Sequence, residues 1–409
     1  MKYSSRKLNK SKVLHRFCLI LGSGSTAGSG YQLKSDQNGF KLKDKELPYD
    51  KNFFEKVKIS KDKFPALKLL KHPNLSLKSL ERTWSLIDLA FKFRNGEIDI
   101  SKNKWNDFLN RYGMRNDLGK CFKSWYDFEI FLNKKEYDYR RNNRRAVFNK
   151  DSVESSPHFF TGDVGRELRM LVSRVYSNLI PPKEEQNVFR KMFRIMKENK
   201  LSFDIVNFNY DTLVERNLEL PYTYISPHGF ERPISDDLVR VIKLHGSLSW
   251  LESGSGLPVI FLPNEVDPQY KKDFWYRQPA IVPPTATKDE VKGVRSNSIR
   301  VIIRQQWSYA REMLTKADKL IFVGYSFPDT DGHAKELFSV SLAHLSTDKI
   351  FVCDKNSGKK YINKVRKDLG GKKIPKRNFF LNGFKKFVNS SLKKEIVEIK
   401  TKVKEGEKE

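Results

Sequence analysis

Asn209, Asp211 and His245 are the residues whose types and placing could act on a bond to a sugar carbon. Asn209 and Asp211 flank Tyr210 directly after the apolar run FDIVNF. Side chains two apart on a strand point the same way, so both can reach one pocket. An amide and a carboxylate there can hold a ribose diol and a water. By spacing alone the pair serves equally well as an Asx turn or as a cap for a helix over DTLVERNLEL, with Asp211 capping. His245 precedes Gly246 and Ser247 at a strand end in KLHGS. An imidazole there is a candidate general base near neutral pH. His228-Gly229 is a second such pair, and spacing does not rank the two.

Phosphate chemistry is suggested by GSGSTAGSG at 22–30. Gly22, Gly24 and Ala27 satisfy GxGxxG/A after the apolar FCLIL: a tight turn, a backbone open to a pyrophosphate and the start of a helix. The pattern alone also fits a glycine-serine turn without ligand. The acidic ribose partner expected about 20 residues on is not clear, because KLKDKE does not read as a strand end. Gly324, Tyr325, Ser326 and Asp329 follow LIFV, and Asp354 ends IFVCD. A carboxylate at such a strand end meets a ribose hydroxyl or caps a helix. Segments 22–30, 208–211, 243–247 and 323–331 each join an apolar run to a turn of Gly, Ser, Asn or Asp. That is the set of strand ends over which an open α/β sheet holds a dinucleotide.

The elements that must position these residues follow from periodicity. Short apolar runs at 17–21, 203–208, 240–246, 319–324 and 349–354 predict strands, and IIRQQWSYAREMLTKA (302–317) a helix. Residues 31–60 are polar, lysine-rich and read as irregular. From 61 to 200 the pattern is helical. Leu80, Trp84, Ile87 and Phe91 share one face; Phe122, Trp125, Tyr126, Phe128 and Phe131 mark a second helix. Leu168, Leu171, Val172, Val175 and Leu179 stripe a third over 164–180, and 187–200 is a fourth, separated by Pro181-Pro182. These stripes read as core. Residues 251–290 read as a long loop. The order predicts an α/β fold: a Rossmann-like, mostly parallel sheet with helices on both faces and an inserted helical module. The expected division is a basic tail at 1–16, a Rossmann domain from 17–45 and 203–390, a helical insert at 46–202, and a charged helix or tail at 391–409.

With 409 residues, 38% hydrophobic and 12% aromatic, the chain can bury a sizeable core and is too apolar to be disordered. No apolar run approaches a membrane span, and the basic N-terminus lacks the long apolar stretch of a secretory signal. Cys18, Cys121 and Cys353 form an odd set without a CxxC pair, which fits a reducing cytoplasm and no disulfide framework. Lys plus Arg exceeds Asp plus Glu by 78 − 49 = 29. Such charge can attract DNA, an acidic partner or a nucleotide, but most of it is scattered lysine, as an AT-rich coding sequence favours. Arg140, Arg141, Arg144 and Arg145, beside Tyr137 and Tyr139, are the densest candidate for a phosphate-backbone contact; a solvated helix face or subunit contact explains them nearly as well.

The combination resembles the sirtuin superfamily, specifically bacterial sirtuin-like NADases of anti-phage defence. GSGSTAGSG is similar to the family's GAGxSxxSG loop, with Ser23 in place of its alanine, Thr26 in place of its first serine, and Tyr31-Gln32 where an apolar residue and proline are usual. FNYD carries the family's Asn and Asp as Asn209 and Asp211. KLHGS puts the family histidine on His245 rather than His228. VGYSFPDTD resembles the ribose- and phosphate-binding loop at Gly324 and Ser326, and Asp354 lies where the last strand closes on the adenosine ribose. IVPPTATK (281–288) is similar to a bacterial segment. The four-cysteine zinc module of protein-deacylating sirtuins is missing, since no cysteine lies between 121 and 353. No zinc is therefore expected.

The resemblance implies a cytoplasmic NAD+ glycohydrolase releasing nicotinamide and ADP-ribose over a deacylase. Asn209 would orient water or ribose, His245 would act as base or hold the diol, and Asp211 would fix both. Gly22, Ser23, Gly24, Ser25 and Thr26 would bind pyrophosphate; Gly324, Ser326 and Asp354 would bind the adenosine half. An unregulated NADase is toxic, so activation by assembly or a trigger, as in abortive infection, is expected. A homo-oligomer and a ring-forming HerA-type ATPase are the partners implied. Two other classes stay open: a non-catalytic NAD or ADP-ribose sensor, and a DNA-binding or nuclease effector.

Overall fold

Seven apolar segments line up side by side to build the centre of this molecule. The computed structural model describes residues 16–34, 40–48, 52–59, 64–69, 105–111, 118–142, 159–220, 222–224, 239–251, 259–260, 279–282, 297–328 and 331–392, with residues 80, 83, 84, 86, 87, 89, 90 and 115. The sheet strands are β1 (Arg16–Leu21), β2 (Ser202–Asn207), β3 (Tyr222–Tyr224), β4 (Val239–Lys243), β5 (Lys319–Val323), β6 (Ile350–Cys353) and β7 (Phe379–Phe380). Their order is β7-β6-β5-β1-β2-β4-β3, and every pairing is parallel.

A parallel sheet is covered on both faces, so its strands read as near-continuous apolar runs. β1 shows why: Phe17, Leu19 and Leu21 face one core while Cys18 and Ile20 face the other. The second core is closed by α6 (Asn297–Thr315), α7 (Gly332–Ser341) and α8 (Lys359–Asp368). The first continues without a break into the helices between β1 and β2. These include α2 (Trp125–Asn142), α3 (Phe159–Ser177) and α4 (Val188–Glu198). Leu168, Leu171, Val172 and Val175 of α3 are all buried, as is Trp84, and Asn187 caps α4 by accepting from the Arg190 N–H. Most of the predicted stripe residues are therefore core, and the helices lean on one sheet face; Tyr126 is exposed instead, Phe122 precedes α2, Leu179 lies beyond α3 in a short strand, and Phe91 lies outside the described residues.

Three expectations change. The described part of 31–60 is not irregular: Phe40–Leu42 pairs with Val57–Ile59 in an antiparallel hairpin, and Gln32–Leu33 pairs with Leu179–Ile180. The stretch 251–290 is not one plain loop, since Gly246–Leu251 lies between Val259–Ile260 and Pro279–Ile281 in a small antiparallel sheet. Arg16, at the end of the basic stretch, begins β1, and its guanidinium pairs with the buried Asp204 of β2 at 2.7 Å. Arg240 of β4 holds the same carboxylate through two hydrogen bonds. Those groups stitch the amino ends of three strands together.

Of the arginine cluster, Arg141 is exposed on α2, while Arg144 and Arg145 lie outside the described residues, as do His228, Asp329, residues 1–15 and 393–409. Among the described residues no helix is long and apolar enough to cross a membrane.

Chain direction fixes where a site can form. After β1 the chain passes to β2 on one side, whereas β5 leads to β6 on the other. The crevice outside the carboxyl ends of such diverging strands is where open α/β sheets bind ligands.

Candidate active site

The four expected segments and Asp354 sit at carboxyl ends of the sheet. β1 ends in Gly22 and α1 (Ser23–Ala27), β2 in Phe208 and Asn209, β4 in Leu244 and His245, β5 in Gly324, and β6 in Asp354. The first and fourth segments lock together through main-chain bonds: Gly22 N–H donates to Val323 O at 3.0 Å and Gly24 N–H to Gly324 O at 2.9 Å. A β-carbon on Gly22 would lie 2.6 Å from Gly324 O, and one on Gly24 2.9 Å from Gly324 Cα. The glycines thus answer first to the contact between two loops; two of the loop's N–H groups are used there rather than offered to a phosphate.

Asn209 ties the second segment to the first. Its Nδ2 lies 3.0 Å from Gly22 O, 3.2 Å from Ser25 Oγ and 3.0 Å from Thr26 Oγ1. The amide hydrogens are therefore directed at the glycine loop, which leaves the side-chain oxygen as the atom to accept from a water or a ribose hydroxyl. Asp211 makes the Asx turn that its spacing allowed and also holds the glycine loop. One carboxylate oxygen accepts from Thr26 Oγ1 at 2.6 Å; the other accepts from Leu213 N–H at 3.0 Å, at the start of α5 (Leu213–Asn217). Ser25 lines neither recess described below. It is fully buried, and its hydroxyl donates to Gly22 O.

Beneath Asp211 is a residue to which spacing assigned no role. Lys243 is fully buried, and its ammonium donates to the Asp211 carbonyl and lies 3.3 Å from the carboxylate of Glu215. Its main-chain N–H donates to Gln306. A buried ammonium needs both a counter-charge and acceptors. Here it fixes the FNYD turn from below. The signal in the sequence was a lone lysine inside an apolar strand, RVIKLHG.

His245 is 3% exposed and packed among Phe208, Tyr210 and Trp307. Burial lowers its pKa from the ordinary 6.5; Asp331 and a main-chain hydrogen bond with Phe208 counter that in part. The ring is neutral at pH 7. Its Nε2 has no hydrogen-bond partner among the described residues. The left-handed Gly246 (φ +77°) turns the chain there: a β-carbon would sit 1.8 Å from Ala280 O, so only glycine fits.

The lowered pKa has a stability consequence. Above pH 6.5 the imidazole is neutral whether folded or unfolded. Below it, the unfolded chain takes up the proton first, so stability falls as pH drops. Urea midpoints measured at pH 7.5 and 5.5 should fall further for the wild type than for His245→Gln; equal falls would contradict this.

The walls of two recesses share Ser23 and Ser326. The inner, about 70 Å³, is bounded by Gly22, Thr26, Asn209, Asp211, His245 and Asp331, with apolar walls from Leu80, Phe208 and Tyr325. The outer, about 400 Å³, lies between Gly24, Gly324, Asp354, Asn356, Lys56 and Phe384. That size falls within the range of small-molecule sites. Burial raises the pKa of Asp354, and the Asn356 N–H and Tyr361 hydroxyl oppose it. Lys56 was not foreseen, because it comes from the hairpin at 40–59. Burial would lower its ammonium pKa, but hydrogen bonds to Glu46 and Asp44 raise it above the ordinary value. Among the described residues no group of three or more His, Cys, Asp or Glu could hold a metal ion.

Residues 204–370 match the SIR2-like domain. The SIR2-like segment holds Asn209, Asp211, His245, Gly324, Ser326 and Asp354, and begins well after the glycine loop. No curated protein matches the chain. Solved structures similar to it include a mutant Sir2 homologue with ADP-ribose, at 16% identity over 64% of this chain and 83% of that one, TM-score 0.35. A Sir2 homologue with NAD aligns at 15% identity over 63% and 81%, TM-score 0.34. A structure of a Sir2 enzyme aligns at 10% identity over 95% and 94%, TM-score 0.39.

Proposed function

We propose that this chain cleaves NAD+ to nicotinamide and ADP-ribose. The observation that carries the reading is the buried His245, which lines the same small recess as Asn209 and whose Nε2 has no hydrogen-bond partner among the described residues. That recess shares Ser23 and Ser326 with a larger one lined by the strand-end carboxylate Asp354. A dinucleotide has the matching shape: a reacting ring and ribose inside, a pyrophosphate at the waist near Ser23 and Ser326, an adenosine outside. Sir2 homologues solved with ADP-ribose and with NAD are in keeping with this.

The bond between C1′ of the ribose and the pyridinium nitrogen breaks with both electrons leaving on nicotinamide, which departs neutral. Positive charge builds on the ribose, as in other glycoside cleavages. Water adds at C1′, and its proton passes to His245 Nε2 and then to solvent. The Asn209 oxygen holds that water or the adjacent hydroxyl. Asp211, through Thr26, keeps the glycine loop against the ribose. Positioning of this kind supplies much of the rate. In this reading residues 17–45 and 203–390 form the catalytic unit, while 46–202 and the stretch 251–290 respond to a partner or trigger.

A cellular experiment tests the defence role. Cells carrying the wild-type chain should lose NAD+ after phage challenge, and cells carrying His245→Ala should not. Unchanged NAD+ in challenged wild-type cells would exclude that role.

A further inference from the structure

One charged group on the inner wall has no part in the cleavage just described. Asp331, 1% exposed, lies at the start of α7. Its Oδ1 accepts from the Ala334 N–H at 3.1 Å, and its Oδ2 accepts from the Tyr325 hydroxyl at 2.6 Å. The two donors come from different elements and clamp the carboxylate in one orientation. It bounds the recess together with His245 and Asn209. Among the described residues of that wall there is no lysine or arginine. The other carboxylate, Asp211, is taken up by Thr26 and Leu213. His245 is neutral, and His333 is the nearby titratable group on α7.

We propose that Asp331 makes the inner recess selective for a positively charged ring, so that the site takes an oxidised, pyridinium-bearing dinucleotide in preference to its reduced, uncharged form. A fixed negative charge in a water-poor recess acts more strongly than one in solvent. It favours a cation bound there and, equally, the positive charge that builds on the ribose during cleavage. The inference rests on the dinucleotide reading and adds the charge state of the ring.

The test is equilibrium binding of three probes: a carbocyclic NAD+ analogue that cannot be hydrolysed, NADH, and ADP-ribose, which lacks the ring. Wild type should prefer the oxidised analogue to NADH by about tenfold, the effect of one moderately screened charge. Asp331→Asn keeps a capping oxygen for the Ala334 N–H and drops the charge; its amide nitrogen then donates to the Tyr325 hydroxyl, which accepts in place of donating. It should lose most of that preference while binding ADP-ribose within about twofold of wild type, since one rearranged hydrogen bond is all that separates them there. Asp331→Ser, also a capping residue, should behave alike. A wild-type preference near one overturns the proposal whether or not either variant folds, as does an undiminished preference in Asp331→Asn. Failure of wild type to bind ADP-ribose at all would instead overturn the dinucleotide reading beneath it.

Discussion

His245→Ala is expected to slow NAD+ cleavage by about 10²- to 10⁴-fold, the range for loss of a positioned general base. The ring is buried among Phe208, Tyr210 and Trp307, away from competing water. Burial holds its pKa below the ordinary 6.5, so at pH 7 the base is already in its active, unprotonated form. The acid limb of the wild-type rate profile should therefore fall below pH 6.5, and the variant should lack it. ADP-ribose should still bind the variant, because the outer recess owes nothing to His245. A variant that keeps the wild-type rate, or a limb above pH 6.5, would remove His245 as the base.

Gly324→Ala should abolish ADP-ribose binding and destabilise the fold by about 2–5 kcal/mol, combining the left-handed backbone penalty with overpacking. Gly324 has φ +63°, and a β-carbon there would lie 2.1 Å from Ser25 N and 2.3 Å from Gly24 C. These are backbone atoms, and they cannot swing aside as a side chain would. The loop they belong to is held in turn by Asn209 and, through Thr26, by Asp211. Displacing it disturbs both recesses together. Gly332→Ala is the control, because nothing lies within 4 Å of a β-carbon there. Its urea midpoint should stay close to wild type. A Gly324→Ala protein as stable and as tight-binding as wild type would show that the loop contact does not organise the site.

Much of the frame was legible in the sequence because parallel strands are short, apolar and followed by turns. β1, β2, β4, β5 and β6 fall on the runs that precede Gly22, Asn209, His245, Gly324 and Asp354. The helix stripes were legible for the same reason: burial on one side leaves a period in the chain. Other features left no such trace. The hairpin that brings Lys56 to the outer recess has strands of three residues, alternating with lysines, so no apolar run marks it. The small sheet beside His245 contains strands of two and three residues, below the length at which periodicity is visible. Spacing could not show how Asp211 divides its oxygens, one turning the chain at Leu213 and the other holding Thr26, because Thr26 lies far away in the chain. The glycines of 22–30 were read for phosphate, yet their nearest demand comes from Gly324, three hundred residues away in the chain. Asp331 stood in plain view in VGYSFPDTD, but its tie to Tyr325 is a tertiary fact.

The central claim is that the inner recess breaks the nicotinamide–ribose bond and passes the ribose to water. The most direct measurement is chromatography of NAD+ incubated with purified protein and no acylated peptide, beside Asn209→Ala. The account predicts nicotinamide and ADP-ribose appearing in equal amounts with the wild type, and neither with Asn209→Ala. Intact NAD+ in the wild-type reaction, with nicotinamide released only when an acylated peptide is supplied, would contradict it.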